Sequence, residues 1–282
     1  MSRWPKWLVL LLVFPFAAGA QVDIRCRLAH TTVILYESIP MDVTIVNNTG
    51  QPLTFGVPEA NAALMFDIER SPGALMMPTG ASVWTGAVTV APMGTLKQTV
   101  DLLPAYPILN TGPYSITARL EWSDRAFISS RMFLDVVPGF EVARETASVP
   151  GMGRAIRTYT LRTLNRDKTE RLFLRIDDDD EGRCYGVFDL GRVVRMYKPN
   201  MEVDEEGNVH ALHQAGPSFF VRHVFTPYGL LVSREQYSGD ATQMRMSRQA
   251  GSGVVVEGIA QKLGGNEDGP GGETVEFEDL LR

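Results

Sequence analysis

Leu109-Asn110-Thr111-Gly112-Pro113-Tyr114-Ser115-Ile116-Thr117-Ala118-Arg119-Leu120-Glu121-Trp122 is the stretch on which the fold turns. Leu109, Gly112 and Tyr114 have the Leu-x-x-Gly-x-Tyr spacing of a tyrosine corner. There the phenol bonds a backbone group a few residues upstream and pins a crossover between two sheets. Gly112 and Pro113 suit the corner itself, one by its freedom of φ and the other by its fixed φ. From Tyr114 onward, Ile116, Ala118, Leu120 and Trp122 share parity and alternate with polar residues. Period two of that length describes a strand with one face in a core, and it assigns Trp122 to packing.

Working outward, the same period recurs. Val22, Ile24, Cys26 and Leu28 alternate with Asp23, Arg25 and Arg27. After Pro40, Met41, Val43 and Ile45 alternate with Asp42 and Thr44 and stop at the turn Asn47-Asn48-Thr49-Gly50. Leu53–Val57, Leu64–Glu69, Leu96–Leu102 and Phe127–Val137 are further strands. Helical periodicity is sustained nowhere for three turns, so the expected fold class is all-β, an antiparallel sandwich over residues 21–138. Glu37-Ser38-Ile39-Pro40-Met41-Asp42-Val43-Thr44-Ile45-Val46-Asn47-Asn48 is similar to the second strand of bacterial immunoglobulin-like domains. With the tyrosine corner it makes this region resemble that family. The resemblance implies a Greek-key sandwich and says almost nothing about activity, since the family spans adhesins, stalks and enzyme spacers.

Pro138-Gly139 and Pro150-Gly151-Met152-Gly153 bracket an expected linker, residues 139–153. A second antiparallel β domain is expected over residues 154–238. Its strands are Arg157–Leu164, Arg171–Ile176, Tyr185–Phe188, Val193–Tyr197, Met201–Val203, Val209–Leu212, Phe219–Phe225 and Leu230–Arg234. The hairpin Val203-Asp204-Glu205-Glu206-Gly207-Asn208-Val209-His210 resembles those of β-propeller blades. Two such units fall short of a closed ring, which needs about four. Residues 239–282, rich in glycine and then acids, are expected to form a flexible tail.

Residues 1–20 read as a secretory signal peptide. Arg3 and Lys6 precede the apolar Leu8–Phe16 run, and Ala18-Gly19-Ala20 offers a cleavage site. Export to a bacterial periplasm or beyond follows, with no transmembrane segment after cleavage. The chain of 282 residues carries 27 Lys and Arg against 33 Asp and Glu, a net charge of −6. Nucleic acid is therefore a disfavoured partner, because binding it needs clustered cations. Cys26 and Cys184 could bridge in an oxidising compartment, but they belong to strands of different domains.

Chemistry-bearing candidates are few. Asp177, Asp179 and Glu181 alternate ahead of Gly182 like the start of a calcium loop, but Phe188 stands where a bidentate glutamate belongs. A solvated acidic turn is the plainer reading. His210 and His213 cannot share a metal from one strand, since residues three apart face opposite ways and lie ~10 Å apart; His223 could join one of them across a hairpin. No nucleophile elbow, Ser-x-x-Lys pair or phosphate loop occurs. The least unfavourable acid–base pair is His213 with Asp204 or Asp189. Trp84, Trp122, Phe219, Phe220 and Tyr228 could build a sugar-stacking platform. Trp84, between Gly80 and Gly86, and Tyr228 are the binding candidates. Asn47-Asn48-Thr49 matches a glycosylation sequon that hairpin-turn chemistry explains equally well. The expected function is an exported, non-catalytic binding or scaffolding module of the cell envelope, with an envelope protein or glycan as partner. The alternative is a glycan hydrolase with its site in the second β domain.

Overall fold

The computed structural model describes residues 22–151, 155–249 and 253–266. Residues 1–20, where a signal peptide is expected, and the acidic end from residue 267 lie outside the described residues. Among those described, no residue is helical, and no helix is long and apolar enough to cross a membrane.

The first domain is built from β1 (Val22–Leu28), β2 (Thr32–Ile34), β3 (Pro40–Asn47), β4 (Leu53–Phe55), β5 (Ala62–Arg70) and β6 (Ala74–Leu75). It continues through β7 (Val88–Val90), β8 (Thr95–Asp101), β9 (Gly112–Trp122), β10 (Arg125–Ile128) and β11 (Met132–Val137). One sheet has the order β1-β3-β8 and the other β2-β11-β9-β5-β6, with β10 added to β9 and a small β4-β7 ladder beside them. Ile24, Met41, Val43 and Ile45 from the first sheet meet Phe66, Ile116, Ala118 and Leu120 from the second in one core. Burial of each such side chain contributes about 2 kcal/mol. Tyr114 is buried, and its hydroxyl donates to the Asn110 carbonyl at 2.6 Å, closing the corner. The Phe127–Val137 run is two strands, because Ser129 leaves the ladder and its hydroxyl accepts from the Ala118 amide at 3.0 Å.

The second domain comprises β12 (Phe140–Ser148), β13 (Ile156–Arg166), β14 (Thr169–Asp178), β15 (Arg183–Arg192), β16 (Asn200–Val203) and β17 (Val209–Gly216). β18 (Phe219–Phe225), β19 (Leu231–Gly239), β20 (Arg245–Gln249), β21 (Gly253–Glu257) and β22 (Ile259–Asn266) complete it. The sheets β12-β13-β14-β15 and β16-β17-β18-β19-β22 follow one another, propeller-like as a succession of small antiparallel sheets. Tyr159, Leu161, Leu174 and Ile176 pack with Met201, Val209, Ala211 and Phe225 between them.

Three expectations are corrected here. Residues 139–153 are no linker: β12 pairs with β13 from Phe140 to Ser148. It is a largely exposed edge strand, so it lacks the apolar alternation that would announce it. Residues 239–249 and 253–266 are no flexible tail: Met244, Met246, Val254 and Val256 form a core with Leu212, Phe220 and Tyr237. Gly253 and Gly258 have positive φ, and Gly258, at 77°, faces the Gln243 carbonyl so closely that no Cβ fits. Val193–Tyr197 is a turn rather than a strand.

The two domains meet directly. Ile34, Phe173 and Val187 form a buried cluster across the junction, and Gly139, at φ 70°, lets the chain pass against Ile34. Arg166 donates to both carboxylate oxygens of Glu37, at 2.9 and 2.7 Å, with both side chains buried.

Candidate functional site

The β9–β10 hairpin, the β4–β5 connection and the segment before β7 gather at the end of the first domain away from the junction. Register places them there. The Gly112 end of β9 lies beside Val136 near the junction, whereas Trp122 ends the strand opposite Ala62. Between these segments lies a cleft of about 930 Å³ with Trp84, Trp122, Tyr106 and Pro58 in its walls and Glu121, Asp124 and Arg125 at its rim. Ser123 and Asp124 both have positive φ, 48° and 61°, the tight two-residue turn that turns Arg125 back beside Trp122.

Trp84, the binding candidate of the first domain, is buried. Its ring lies 5.5 Å from that of Phe55, and its Cβ stands where a Cβ on Gly56 would need room. The Trp84 indole N–H has no hydrogen-bonding partner among the described residues. Such a donor carries a desolvation cost of about 1–3 kcal/mol. Tyr106, also buried, accepts the Phe66 amide at 2.7 Å, and burial raises its pKa. Tyr228 lies in the other domain, and Phe219 and Phe220 are buried there, so the expected five-ring platform is not assembled.

In the second domain Asp204 is paired with His210, not His213. His210 Nε2 lies 2.9 Å from Asp204 Oδ2, and Arg222 Nη2 lies 2.5 Å from His210 Nδ1. A guanidinium only donates, so Nδ1 is the acceptor and Nε2 carries the proton given to Asp204. The line continues from Arg222 to Glu235 at 3.1 Å, and Glu235 also accepts Tyr237 at 2.6 Å and Lys262 at 2.7 Å. Burial holds the His210 pKa down against the pull of Asp204. Both ring nitrogens are engaged, so His210 has no free nitrogen to act as a base.

His213 faces the opposite side of β17, as strand geometry demands, and stacks on His223 of β18 with ring centroids 5.8 Å apart. The cross-hairpin partner of His213 is thus the expected histidine. Both rings are buried. Burial first, then Arg234, pushes the His213 pKa down to about 4, partly opposed by the Arg192 backbone and Asp189. His223 is lowered by burial, by His213 and by Arg234. Asp189 is taken up by Arg171 at 2.7 Å and by the Gly191 amide at 2.8 Å, so neither acid proposed for His213 serves it.

The calcium expectation fails on geometry. Asp177 is bound by Arg175, and Asp179 accepts the Thr158 hydroxyl at 2.6 Å. Between them Asp178 turns inward onto Arg157. Glu181 is exposed at the tip. Asp177, Asp178 and Asp179 thus each face a different partner. Among the described residues no three His, Cys, Asp or Glu side chains are placed to hold a metal ion. Cys26 and Cys184 are free, and burial pushes both thiol pKa values up to about 12.

The rim of the cleft was missed at the sequence level. Trp122-Ser123-Asp124-Arg125 carried a turn signal inside what read as a gap between strands. No family model matches the chain, and no curated protein matches it. Among solved structures it is similar to Spo0M, a sporulation control protein from Bacillus subtilis. The likeness covers 73% of this chain and 90% of that one at 13% identity, with a TM-score of 0.25, and carries no argument at that score.

Proposed function

We propose that the chain is an exported, non-catalytic binding module of the bacterial cell envelope, taking its ligand in the distal cleft of an immunoglobulin-like first domain. The observation that carries the reading is the cleft walled by Trp84, Trp122 and Tyr106, with Glu121, Asp124 and Arg125 also lining it. Ligand sites combine apolar and aromatic walls with a few placed polar groups. The tyrosine corner and the two facing sheets support the immunoglobulin-like assignment. The signal-like segment supports export, and the engaged nitrogens of His210 support a non-catalytic role.

The test uses the chain beginning at Gln21 against oligosaccharides of varied linkage and proline-rich peptides, read by thermal shift and tryptophan emission. A ligand is expected to raise Tm by several degrees, and Trp122→Ala, which removes a half-buried wall of the cleft, should weaken binding about tenfold. A panel that moves neither signal, or a ligand bound equally by Trp122→Ala, rejects the site. Fractionation that finds Met1 retained on a cytosolic protein rejects export.

A further inference from the structure

The loop joining β18 to β19 and the start of β19 hold apolar side chains out into solvent. Tyr228, Leu230, Leu231 and Val232 are all exposed. Thr226 braces them: its hydroxyl accepts the Tyr228 and Leu230 amides at 3.3 and 3.1 Å, and its carbonyl accepts Gly229 N–H at 3.0 Å. Gly229, at φ 81°, sits so close to Phe188 that a Cβ would come within 2.6 Å of the ring. The Tyr228 ring stands edge-on to Tyr185 at 6.0 Å, and the Arg183 guanidinium covers Tyr185 at 4.7 Å. Exposed Ile156 adjoins the same place, because its neighbour Arg157 donates to the Pro227 carbonyl at 3.2 Å. Contiguous apolar surface of this kind marks a contact.

The register of the last strand says what lies over it. β22 runs antiparallel to β19, with Gly264 opposite Gln236, Gly265 opposite Glu235 and Asn266 opposite Arg234. Asn266, the last described residue, therefore lies four positions along β19 from Leu230. Residues 267–282 then follow, with Pro270-Gly271-Gly272 suited to a reversal and Val275, Phe277, Leu280 and Leu281 set among Glu273, Glu276, Glu278 and Asp279. At about 3.3 Å per residue, ten residues reach roughly 33 Å, far more than the few residues of strand that separate Asn266 from the loop. Arg183, over the Tyr185 ring, opposes the sign of the segment, while Asp180 and Glu181 stand near it on the neighbouring hairpin.

We propose that residues 273–281 of this same chain dock on the Tyr228–Val232 loop. Phe277 and Leu281 cover Leu230 and Leu231, and the acidic residues between them face Arg183.

Hydrogen exchange on the chain beginning at Gln21 tests this, using wild type, Phe277→Ser/Leu281→Ser, and Leu230→Ser/Leu231→Ser. Amides of residues 229–233 are expected to exchange about tenfold faster in the tail variant at every protein concentration. Amides of residues 274–281 should exchange about tenfold faster in the loop variant. Unchanged rates at 229–233 in the tail variant overturn the proposal, and that variant alters no residue of the folded sheets. Protection that grows with protein concentration alongside a doubled mass in light scattering assigns the surface to a second copy, and equally overturns docking within one chain.

Discussion

Asn47 spends its whole side chain on its own turn. Nδ2 donates to the carbonyls of Gln51, Val90 and Ala91 at 2.8, 3.2 and 3.0 Å, and Oδ1 accepts both the amide and the hydroxyl of Thr49. The sequon is therefore a buried clasp between the turn after β3 and the end of β7. Asn47→Ala should cost about 2–4 kcal/mol, because several carbonyls and one amide lose partners at once; urea denaturation measures it. The stacked His213 and His223 carry a pH dependence. Both are neutral in the folded chain, with pKa values below the usual 6.5, whereas the unfolded chain takes up protons below about 6.5. Stability is thus complete above pH 6.5 and falls as pH drops toward about 4, by about 3 kcal/mol for His213 alone. Chemical denaturation of His213→Phe between pH 7 and 4.5 should show a shallower loss than wild type; an equal slope refutes the assignment.

Strands with one face in a core were legible, and edge strands were not. β9 buries Tyr114, Ile116, Ala118 and Leu120 as its alternation predicts. β12 and β22 are held by ladder bonds to β13 and β19 rather than by apolar stripes, so composition hid them. β20 and β21 bury only Met246, Val254 and Val256, and their glycines read as disorder. A chain ending at Gly239 should lose more than 10 °C in Tm and aggregate, since it uncovers Phe220 and Tyr237 and bares the β19 edge. A chain ending at Asn266 should keep its Tm within a few degrees. Differential scanning fluorimetry of the two separates a structural β20–β22 from a dispensable one.

At the scale of the molecule, the absence of a linker couples the domains. β11 ends at Val137 and β12 begins at Phe140, and the Glu37–Arg166 pair spans the joint beside Ile34, Phe173 and Val187. Glu37 also accepts the Ile34 amide at 2.8 Å, so it organises the strand end as well as the contact. Glu37→Ala leaves Arg166 buried without its carboxylate, a change of about 3–5 kcal/mol. Calorimetry should show one transition for the wild-type chain and two for the variant. Two transitions in the wild type would mean that the joint does not transmit stability.

Local chemistry in the sequence determined the all-β class, the tyrosine-corner strand and the hairpin turns, because period-two burial and turn residues act within a few positions of themselves. Tertiary structure alone decided that Asp204 takes His210, that Trp84 turns inward to wall a cleft, and that Glu37 meets Arg166. Those outcomes depend on which distant strands become neighbours, and ladder bonds between backbones leave no trace in side-chain order.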